Sequence, residues 1–225
     1  MATQPEPYKE ALYEQLARLT KAMAHPRRLQ ILDLLLQAPR TVEVLAGQLG
    51  ISIASTSQHL QALRMARLVE TEKKGLYVTY RLADEAMYDL MRSLRTVARH
   101  RLAEVEQLVR QSREGRDFPV ETDREALLDA IKRGEMVIVD VRPVEEYEAG
   151  HLPGAISIPL SELEQRLTEL PKGRDIVTYC RGTYCLLALQ AVQMLREHGF
   201  RAMFLEEGVR EMASAGVQLE RESSD

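Results

Sequence analysis

The sequence has few cysteines and no long apolar run. Its 225 residues include only two cysteines, Cys180 and Cys185, which cannot form the disulfide framework of a small secreted domain. No apolar run approaches the length of a membrane span. The N-terminal segment, MATQPEPYKE, lacks a basic stretch followed by an apolar one, so there is no sign of a signal peptide. We therefore expect a cytoplasmic protein in which the two cysteines form a reactive or redox pair.

Charge is unevenly distributed along the chain. Residues 1–116 contain 18 Lys and Arg against 13 Asp and Glu, a net charge of +5, whereas residues 117–225 contain 12 against 21, a net charge of −9. A basic half suits binding to a polyanion such as DNA, although ordinary scatter in surface charge would give the same numbers.

The N-terminal stretch predicts two helices. Apolar residues at helical spacing give an amphipathic first helix from Leu12 to Met23. Pro26 can open the second helix, because its missing N–H costs nothing there, and Pro39 stops it. The expected buried face of the second helix comprises Leu29, Leu32, Leu35 and Leu36.

The next stretch predicts a helix-turn-helix. Thr41 is the expected N-cap of a third helix that ends at Leu49, and Gly50 marks a tight turn. Ser52 then caps a fourth helix that runs to about Arg67. Two short helices around a glycine turn are typical of DNA-binding proteins.

A hairpin and a long helix follow. Lys74-Gly75 lies between two extended stretches, the second of which alternates in polarity, and this pattern predicts a β-hairpin wing. Residues 84–113 have the pattern of one long helix. Such a helix finds little partner surface in a small domain, so we expect it to pack with the first helix across a homodimer. A solitary helical spacer is the alternative.

The fourth helix carries the predicted DNA contacts. Its apolar face comprises Ile53, Leu60, Leu63 and Leu68, and short polar side chains on its other face can reach phosphates and base edges in a major groove. Lys73 and Lys74 at the wing tip would neutralise phosphates. A solvated polar face is the alternative. The predicted DNA-binding residues are Ser52, Ser55, Thr56, Ser57, Gln58, His59, Gln61, Arg64, Lys73 and Lys74.

The segments KAMAHPRRLQILDLLL and ISIASTSQHLQALRMARLVETEKKGLYVTYRL resemble the ArsR/SmtB family of winged-helix repressors. The resemblance covers the first half of the chain and implies a homodimer that binds operator DNA and releases it when an inducer binds. The third helix, TVEVLAGQLG, lacks the thiolate pair of the arsenic sensors. His100 and Glu104 would share a helix face, but this spacing is common by chance, so we expect no metal site and no cofactor.

The pattern changes after residues 114–119, which are rich in charge and form the expected linker. Apolar runs at 136–141, 176–179 and 203–205 alternate with helical segments at 145–149, 161–170 and 186–198. This alternation predicts an α/β domain with a mostly parallel sheet over residues 120–225, following a mainly helical winged domain over residues 1–113. Sites in such sheets lie beyond the C-terminal strand ends, where Cys180 is found.

The loop CRGTYC follows one of these strands and precedes a helix. Backbone N–H groups at a helix N-terminus bind anions and favour a thiolate, so Cys180 is a candidate nucleophile. Arg181, Gly182, Thr183 and Tyr184 form the expected anion-binding loop, in which Arg181 adds positive charge or binds an anionic substrate. A small buried cysteine is the alternative.

The segment VIVDVRPVEEYEAGHLPGAISIPLSEL and this loop resemble the rhodanese superfamily over residues 120–216. The resemblance implies that Cys180 accepts a sulfane sulfur as a persulfide, that Asp140 and Arg142 support the loop as an ion pair, and that His151 is structural. The loop departs from the family in two places. Gly182 comes one position early, and Cys185 stands where an arginine is common, so a group that would bind thiosulfate is missing.

Cys185 has two interpretations. It could attack a Cys180 persulfide and close a disulfide or polysulfide bridge, or it could be packed and unreactive. Three functions remain open. The first is a repressor that senses polysulfide, persulfide or thiosulfate through Cys180. The second is a sulfurtransferase that the winged helix targets or dimerises. The third is a scaffold with an inert rhodanese fold.

Overall fold

The computed structural model describes residues 7–75, 77–113, 120–121 and 124–222. The chain divides into two compact units, Met1–His100 and Arg101–Asp225. The predicted linker, 114–119, and Leu76 of the wing lie outside the described residues. A mainly helical winged unit is followed by an α/β unit, so the predicted fold class is confirmed.

The first unit contains a helix-turn-helix and a wing. Its elements are α1 (Pro7–Met23), α2 (Pro26–Leu35), β1 (Arg40–Thr41), α3 (Val42–Leu49), α4 (Ile53–Met65), β2 (Val69–Lys74), β3 (Tyr77–Leu82) and α5 (Ala86–Arg101). The antiparallel hairpin of β2 and β3 is the predicted wing. The sequence analysis missed β1, which has two residues and pairs with β3.

Local capping signals position the two helices of the helix-turn-helix. The Thr41 side chain accepts a hydrogen bond from the Val44 N–H, and the Ser52 side chain accepts one from the Ser55 N–H. Gly50 between them is left-handed, with φ of 64°. The predicted caps and turn are therefore confirmed, because each depends on residues only a few positions apart.

Two helices of the first unit keep apolar side chains exposed in the single chain. In α1 Met23 is buried, whereas Leu12, Leu16 and Leu19 are exposed. The same contrast holds in α5, where Met91 is buried and Leu94 is exposed.

The long helix predicted over residues 84–113 is wrong in one respect. The helix is interrupted at Leu102, which separates α5 from α6 (Ala103–Arg113). Neither glycine nor proline lies there, and nothing in the structure explains the break. The compact units divide at nearly the same place, so α6 belongs to the second unit.

The second unit has a parallel sheet at its centre. After α6 its elements are β4 (Val120–Glu121), α7 (Arg124–Lys132), β5 (Met136–Asp140), α8 (Val144–Ala149), β6 (Ile156–Ser157), β7 (Asp175–Tyr179), α9 (Leu187–Glu197), β8 (Ala202–Leu205) and α10 (Val209–Ser214). The strand order is β4-β8-β7-β5-β6, and all paired neighbours are parallel.

Both faces of this sheet are covered. Val137 and Val139 pack in one apolar cluster with Leu195 of α9, while Ile138 packs in another with Met212 of α10. Burial on both faces explains why the strands are continuous apolar runs.

The helix predicted over 161–170 is wrong. The segment forms turns and a short 3₁₀ helix, Leu167–Glu169. Most of its backbone hydrogen bonds join residues three apart, as from the Glu162 N–H to the Pro159 carbonyl.

Candidate cysteine site and DNA-binding surface

The cysteine pair lies at the C-terminal edge of the sheet. Cys180 follows β7 directly, as predicted, and is 2% exposed. Cys185 is partly exposed on the same loop, just before α9. The Cys180 sulfur lies 3.5 Å from the carbonyl oxygen of Cys185, within hydrogen-bond distance. The two sulfur side chains therefore share one small site.

The two thiols differ in acidity, and the pKa of Cys185 is the lower of the two. A hydrogen bond from the Cys180 thiol lowers the pKa of Cys185 to about 6, with further lowering from the backbone N–H groups of Arg181 and Leu187 and from the Arg181 charge. The hydrogen bond with Cys185 and burial raise the pKa of Cys180 well above its ordinary value. The prediction of a thiolate at Cys180 stays a prediction; it considered the loop dipoles without burial or the second thiol, both of which favour charge on Cys185.

Arg181 is held by a buried carboxylate. Its Nε lies 2.9 Å from Glu146 Oε2, and its Nη2 lies 2.5 Å from Glu146 Oε1. Glu146, on α8, is fully buried. The guanidinium adds positive charge near Cys185, as the sequence suggested, but its bidentate pairing directs it to Glu146 and away from a substrate anion.

Asp140 and Arg142 form the predicted ion pair. Arg142 Nη2 lies 2.6 Å from Asp140 Oδ2 and 2.8 Å from the Gly150 carbonyl oxygen. Both side chains are buried. His151 is buried too, with its ring stacked on Tyr147 at 3.7 Å between centroids, in agreement with a structural role.

The remaining loop residues have different surroundings. Gly182 has φ of 113°, and a Cβ built there would lie 3.1 Å from the Glu211 carboxylate oxygens. Tyr184 is 41% exposed, while Thr183 lines the cavity beside the cysteines. Gly208, which the sequence analysis missed, precedes α10 and lies against the backbone of Arg181 and Gly182.

Replacing Gly208 with alanine should destabilise the second unit. The added methyl group would lie 2.4 Å from the carbonyl carbon and oxygen of Arg181, and overpacking of this kind costs about 1–3 kcal/mol. Denaturant unfolding measures the loss. Gly47→Ala is the control, because a Cβ there meets nothing within 4 Å. Unchanged stability of the Gly208 variant would contradict the expected clash.

A cavity of about 10 Å³ lies beside the two cysteines. Arg113, the last residue of α6, lines it together with Phe204 and Glu206 of the sheet edge. The Arg113 Nη2 atom is 2.7 Å from Glu206 Oε1, and its guanidinium carbon is 6.0 Å from the centre of the Phe204 ring. Sequence analysis missed Arg113 and Glu206, because 93 positions separate them and neither belongs to a recognisable motif.

The predicted DNA-binding surface is largely exposed on α4. Ser52, Gln58, Gln61 and Arg64 are exposed, as is Lys73 on the wing. Ser55, Ser57 and His59 are partly buried. Lys74 belongs to β2, and its side chain lies outside the described residues.

Two placements on α4 are wrong. Thr56 is fully buried, and its hydroxyl donates to the Ser52 carbonyl oxygen at 3.0 Å, so its side chain lies within the unit. Ile53 was placed on the buried face but is 51% exposed, because it opens the helix ahead of the turns that pack on the core.

His59 contacts the start of α2. Its ring centroid lies 4.5 Å from that of His25, whose side chain caps α2 by accepting from the Arg27 N–H. Burial lowers the pKa of His59, with smaller contributions from the charges of His25, Arg28 and Arg27. His59 therefore packs α4 against the start of α2.

Replacing Arg64 with alanine should weaken DNA binding by about 1–3 kcal/mol, the usual cost of losing one arginine contact to a base edge. The measurement is a titration of the chain's own upstream DNA at fixed salt. Arg92→Ala removes the same charge from an exposed site on α5 and is the control. Equal affinity in the two variants would contradict the assignment of α4 as the DNA-contacting helix.

Among the residues that the structure describes, no helix is both long and apolar enough to cross a membrane. The same residues contain no group of three or more His, Cys, Asp and Glu that could hold a metal ion. His100 and Glu104 are exposed on opposite sides of the break at Leu102.

Comparison with known proteins identifies both units. The model of the bacterial regulatory protein, arsR family, matches residues 25–71, and the rhodanese-like domain matches residues 123–215. HTH-type transcriptional regulator Rv0324 of Mycobacterium tuberculosis is 43% identical over 212 residues, which cover 94% of this chain and 93% of that protein. A sulfurtransferase of Allochromatium vinosum is 32% identical over 101 residues, or 44% of this chain and 92% of that protein.

Among solved structures, a homodimeric winged helix-turn-helix DNA-binding domain of Mycobacterium bovis is 43% identical and covers 45% of this chain and 94% of its own, with a TM-score of 0.41. The full-length match to the mycobacterial regulator and the two domain matches agree in order and position. This chain is a transcriptional regulator of the arsR family that carries a C-terminal rhodanese-like domain.

Proposed function

We propose that this chain is a cytoplasmic, homodimeric repressor that binds operator DNA through α4 and the wing and responds to reactive sulfur through Cys180 and Cys185. The observation that carries the proposal is the thiol pair itself. One thiol is buried, which raises its pKa, and its neighbour is partly exposed and has its pKa lowered to about 6. Such a pair reacts readily with electrophilic sulfur at neutral pH.

The exposed apolar residues of the first unit support a dimer. Leu12 and Leu16 on α1, and Leu94 and Val97 on α5, are each more than two-fifths exposed. A second copy of the chain that packs on these helices would bury their exposed apolar residues. The two α4 helices would then be related by a two-fold axis, as a palindromic operator requires.

The reaction can be written with its atoms balanced. The Cys185 thiolate attacks the outer sulfur of a persulfide RS–SH, so that Cys185–S–SH forms and RS⁻ leaves. The Cys180 thiol then attacks the inner sulfur of Cys185, and the disulfide closes with release of H₂S. The two cysteines are oxidised, and the sulfane sulfur is reduced to sulfide.

Arg113 is the residue through which we expect the pair to act on DNA binding. No residue of α6 is buried, yet Arg113 at its end lines the cysteine cavity and pairs with Glu206. Added sulfur would occupy the cavity beside Arg113, and disulfide closure would remove the thiolate charge. Either change alters the contacts of α6, which follows α5 in the chain and so leads to the DNA-binding unit.

The test is DNA binding before and after sulfur treatment. The reduced full chain is titrated with its own upstream DNA, and the titration is repeated after exposure to polysulfide. We expect release, with an affinity change of about 5–150-fold, the usual range for coupled sites. The Cys180→Ser, Cys185→Ser double variant should bind without responding. Identical affinity of the wild-type chain in both states would refute the sulfur response.

A sulfurtransferase that the winged helix targets or dimerises is the second candidate. The similarity of the second unit to the Allochromatium sulfurtransferase favours it. The two functions differ in turnover, because a sulfurtransferase passes sulfur to an acceptor thiol many times, whereas a sensor stops at the oxidised pair. Multiple turnovers without any change in DNA affinity would favour the enzyme.

A further inference from the structure

A basic cavity lies at the edge of the sheet opposite the cysteines. Lys172, Gly173 and Arg174 lie in the loop that enters β7, and residues 198–201 form the loop between α9 and β8. Because β7 and β8 are parallel, the two loops meet where the strands begin, whereas Cys180 lies where β7 ends. The cavity that they line has about 320 Å³, which is within the range of about 300–1,000 Å³ for small-molecule sites.

The positive charge of this cavity is not neutralised by the protein. Lys172 and Arg174 are exposed, and within the part of the chain that the structure describes neither side chain makes an ion pair or a hydrogen bond. Arg201 is compensated, since its Nε lies 2.5 Å from Asp175 Oδ1. Among the described residues that line the cavity, none is acidic. Two positive charges therefore remain in a half of the chain whose net charge is −9.

The C-terminal end of α9, which would otherwise repel an anion, is capped. The His198 Nδ1 atom lies 2.8 Å from the Met194 carbonyl oxygen, and it donates, since a carbonyl only accepts. The Phe200 N–H donates to the Leu195 carbonyl oxygen at 3.0 Å. The last residue of the helix, Glu197, accepts from a neighbouring glutamine and does not line the cavity. The His198 ring does line it, and its Nε2 atom has no hydrogen bond to the described residues.

A second cavity adjoins the first. It has about 490 Å³, and Gly199, Phe200 and Arg201 line both. Its lining surface is mainly apolar, with contributions from Ala202 and Met203 at the start of β8. A ligand that fills the two cavities therefore carries an anionic group at one end and an apolar group at the other.

We infer that the two cavities bind a small organic phosphate, such as a nucleotide, whose phosphate contacts Lys172 and Arg174 and whose apolar part packs on Phe200. Two cations, one of them a guanidinium that can donate two parallel hydrogen bonds, match the charge and the acceptor oxygens of a phosphate. The apolar second cavity favours an organic phosphate over the phosphate ion alone. This site is separate from the proposed sulfur chemistry.

The test uses ADP as the probe and the full chain, followed by isothermal titration calorimetry. We expect saturable binding at one site per chain. Adenosine and inorganic phosphate each lack one part of the probe and should bind at least about tenfold more weakly, the usual effect of losing a hydrogen bond to a charged group or a buried apolar contact. Absence of ADP binding would overturn the inference, as would equal affinity for ADP and inorganic phosphate.

A charge-matched pair of variants locates the site. Arg174→Gln should weaken ADP binding about tenfold or more, because a charge-assisted hydrogen bond is lost. Arg221→Gln removes the same charge from an exposed position outside both cavities. It should change the affinity by less than about twofold in 0.15 M salt, which screens distant charges. Equal ADP affinity in the two variants would contradict the assignment.

Two further measurements separate this site from the other functions of the chain. Arg174→Gln should bind upstream DNA like the wild type, and a loss of DNA affinity would show that the cations bind the DNA backbone instead of a small ligand. The Cys180→Ser, Cys185→Ser double variant should bind ADP like the wild type, because the cavities and the cysteines lie at opposite ends of β7. ADP binding that is lost in this variant would contradict a separate site.

Discussion

Replacing Cys185 with serine should lower the rate of sulfur uptake at pH 7 by about tenfold or more. A thiol with a pKa of about 6 is mostly thiolate at this pH, whereas an ordinary cysteine is thiolate to only a few per cent. The lower intrinsic nucleophilicity of an acidic thiol offsets part of this gain. Cys180, left alone, is 2% exposed, so burial continues to raise its pKa and to restrict access.

The pH dependence of the wild-type chain gives a second readout of the same prediction. Because the pKa of Cys185 is depressed, its thiolate persists above about pH 6 and is lost as the pH falls below that value. The rate of alkylation by a neutral reagent should therefore be half-maximal near pH 6, as peptide mapping of Cys185 would show. A midpoint at the ordinary cysteine value, near about 8.5, would contradict the assignment.

Cys180→Ser is the matched variant for this experiment. It keeps the partly exposed thiol of Cys185, which should still take up sulfur. The product should remain a persulfide, because no second thiol is present to close the disulfide. Sulfur uptake that vanishes in Cys180→Ser but survives in Cys185→Ser would reverse the roles of the two cysteines.

The features of the fold that sequence could predict depend on residues close together in the chain. The caps at Thr41 and Ser52 and the turn at Gly50 follow from patterns a few residues long, and the structure has all three. The Asp140–Arg142 ion pair is equally local, since two positions separate its members. The break at Leu102 carries no such signal, so one helix was expected where there are two.

The chemistry of the site could not be predicted in the same way. Glu146 holds Arg181 across 35 positions, and Arg113 reaches Glu206 across 93. Which cysteine carries the thiolate depends on burial and on the neighbouring thiol, and neither is visible in the loop sequence CRGTYC. Thr56 was misplaced for a related reason, because a hydroxyl that bonds back to its own helix looks the same in sequence as one that faces solvent.

Replacing Arg113 with methionine should separate sulfur uptake from the DNA response. Methionine fills similar space beside Phe204 but cannot pair with Glu206, so the link between the cavity and the end of α6 is lost while Cys180 and Cys185 are unchanged. Uptake, followed by mass spectrometry, should stay within about twofold of wild type. The sulfur-induced change in DNA affinity should fall to less than about twofold, because a modification shifts an equilibrium only through contacts that differ between its two states.

Arg110→Met is the control for this variant, since Arg110 is exposed on the same helix and does not line the cavity. It should retain the full DNA response. Glu206→Gln removes the other member of the ion pair and should also abolish the DNA response. If the Arg113→Met effect came only from the loss of a positive charge, Glu206→Gln would leave the response intact. An Arg113→Met chain that takes up sulfur and still releases DNA like the wild type would show that the signal reaches the winged helix by a route other than the end of α6.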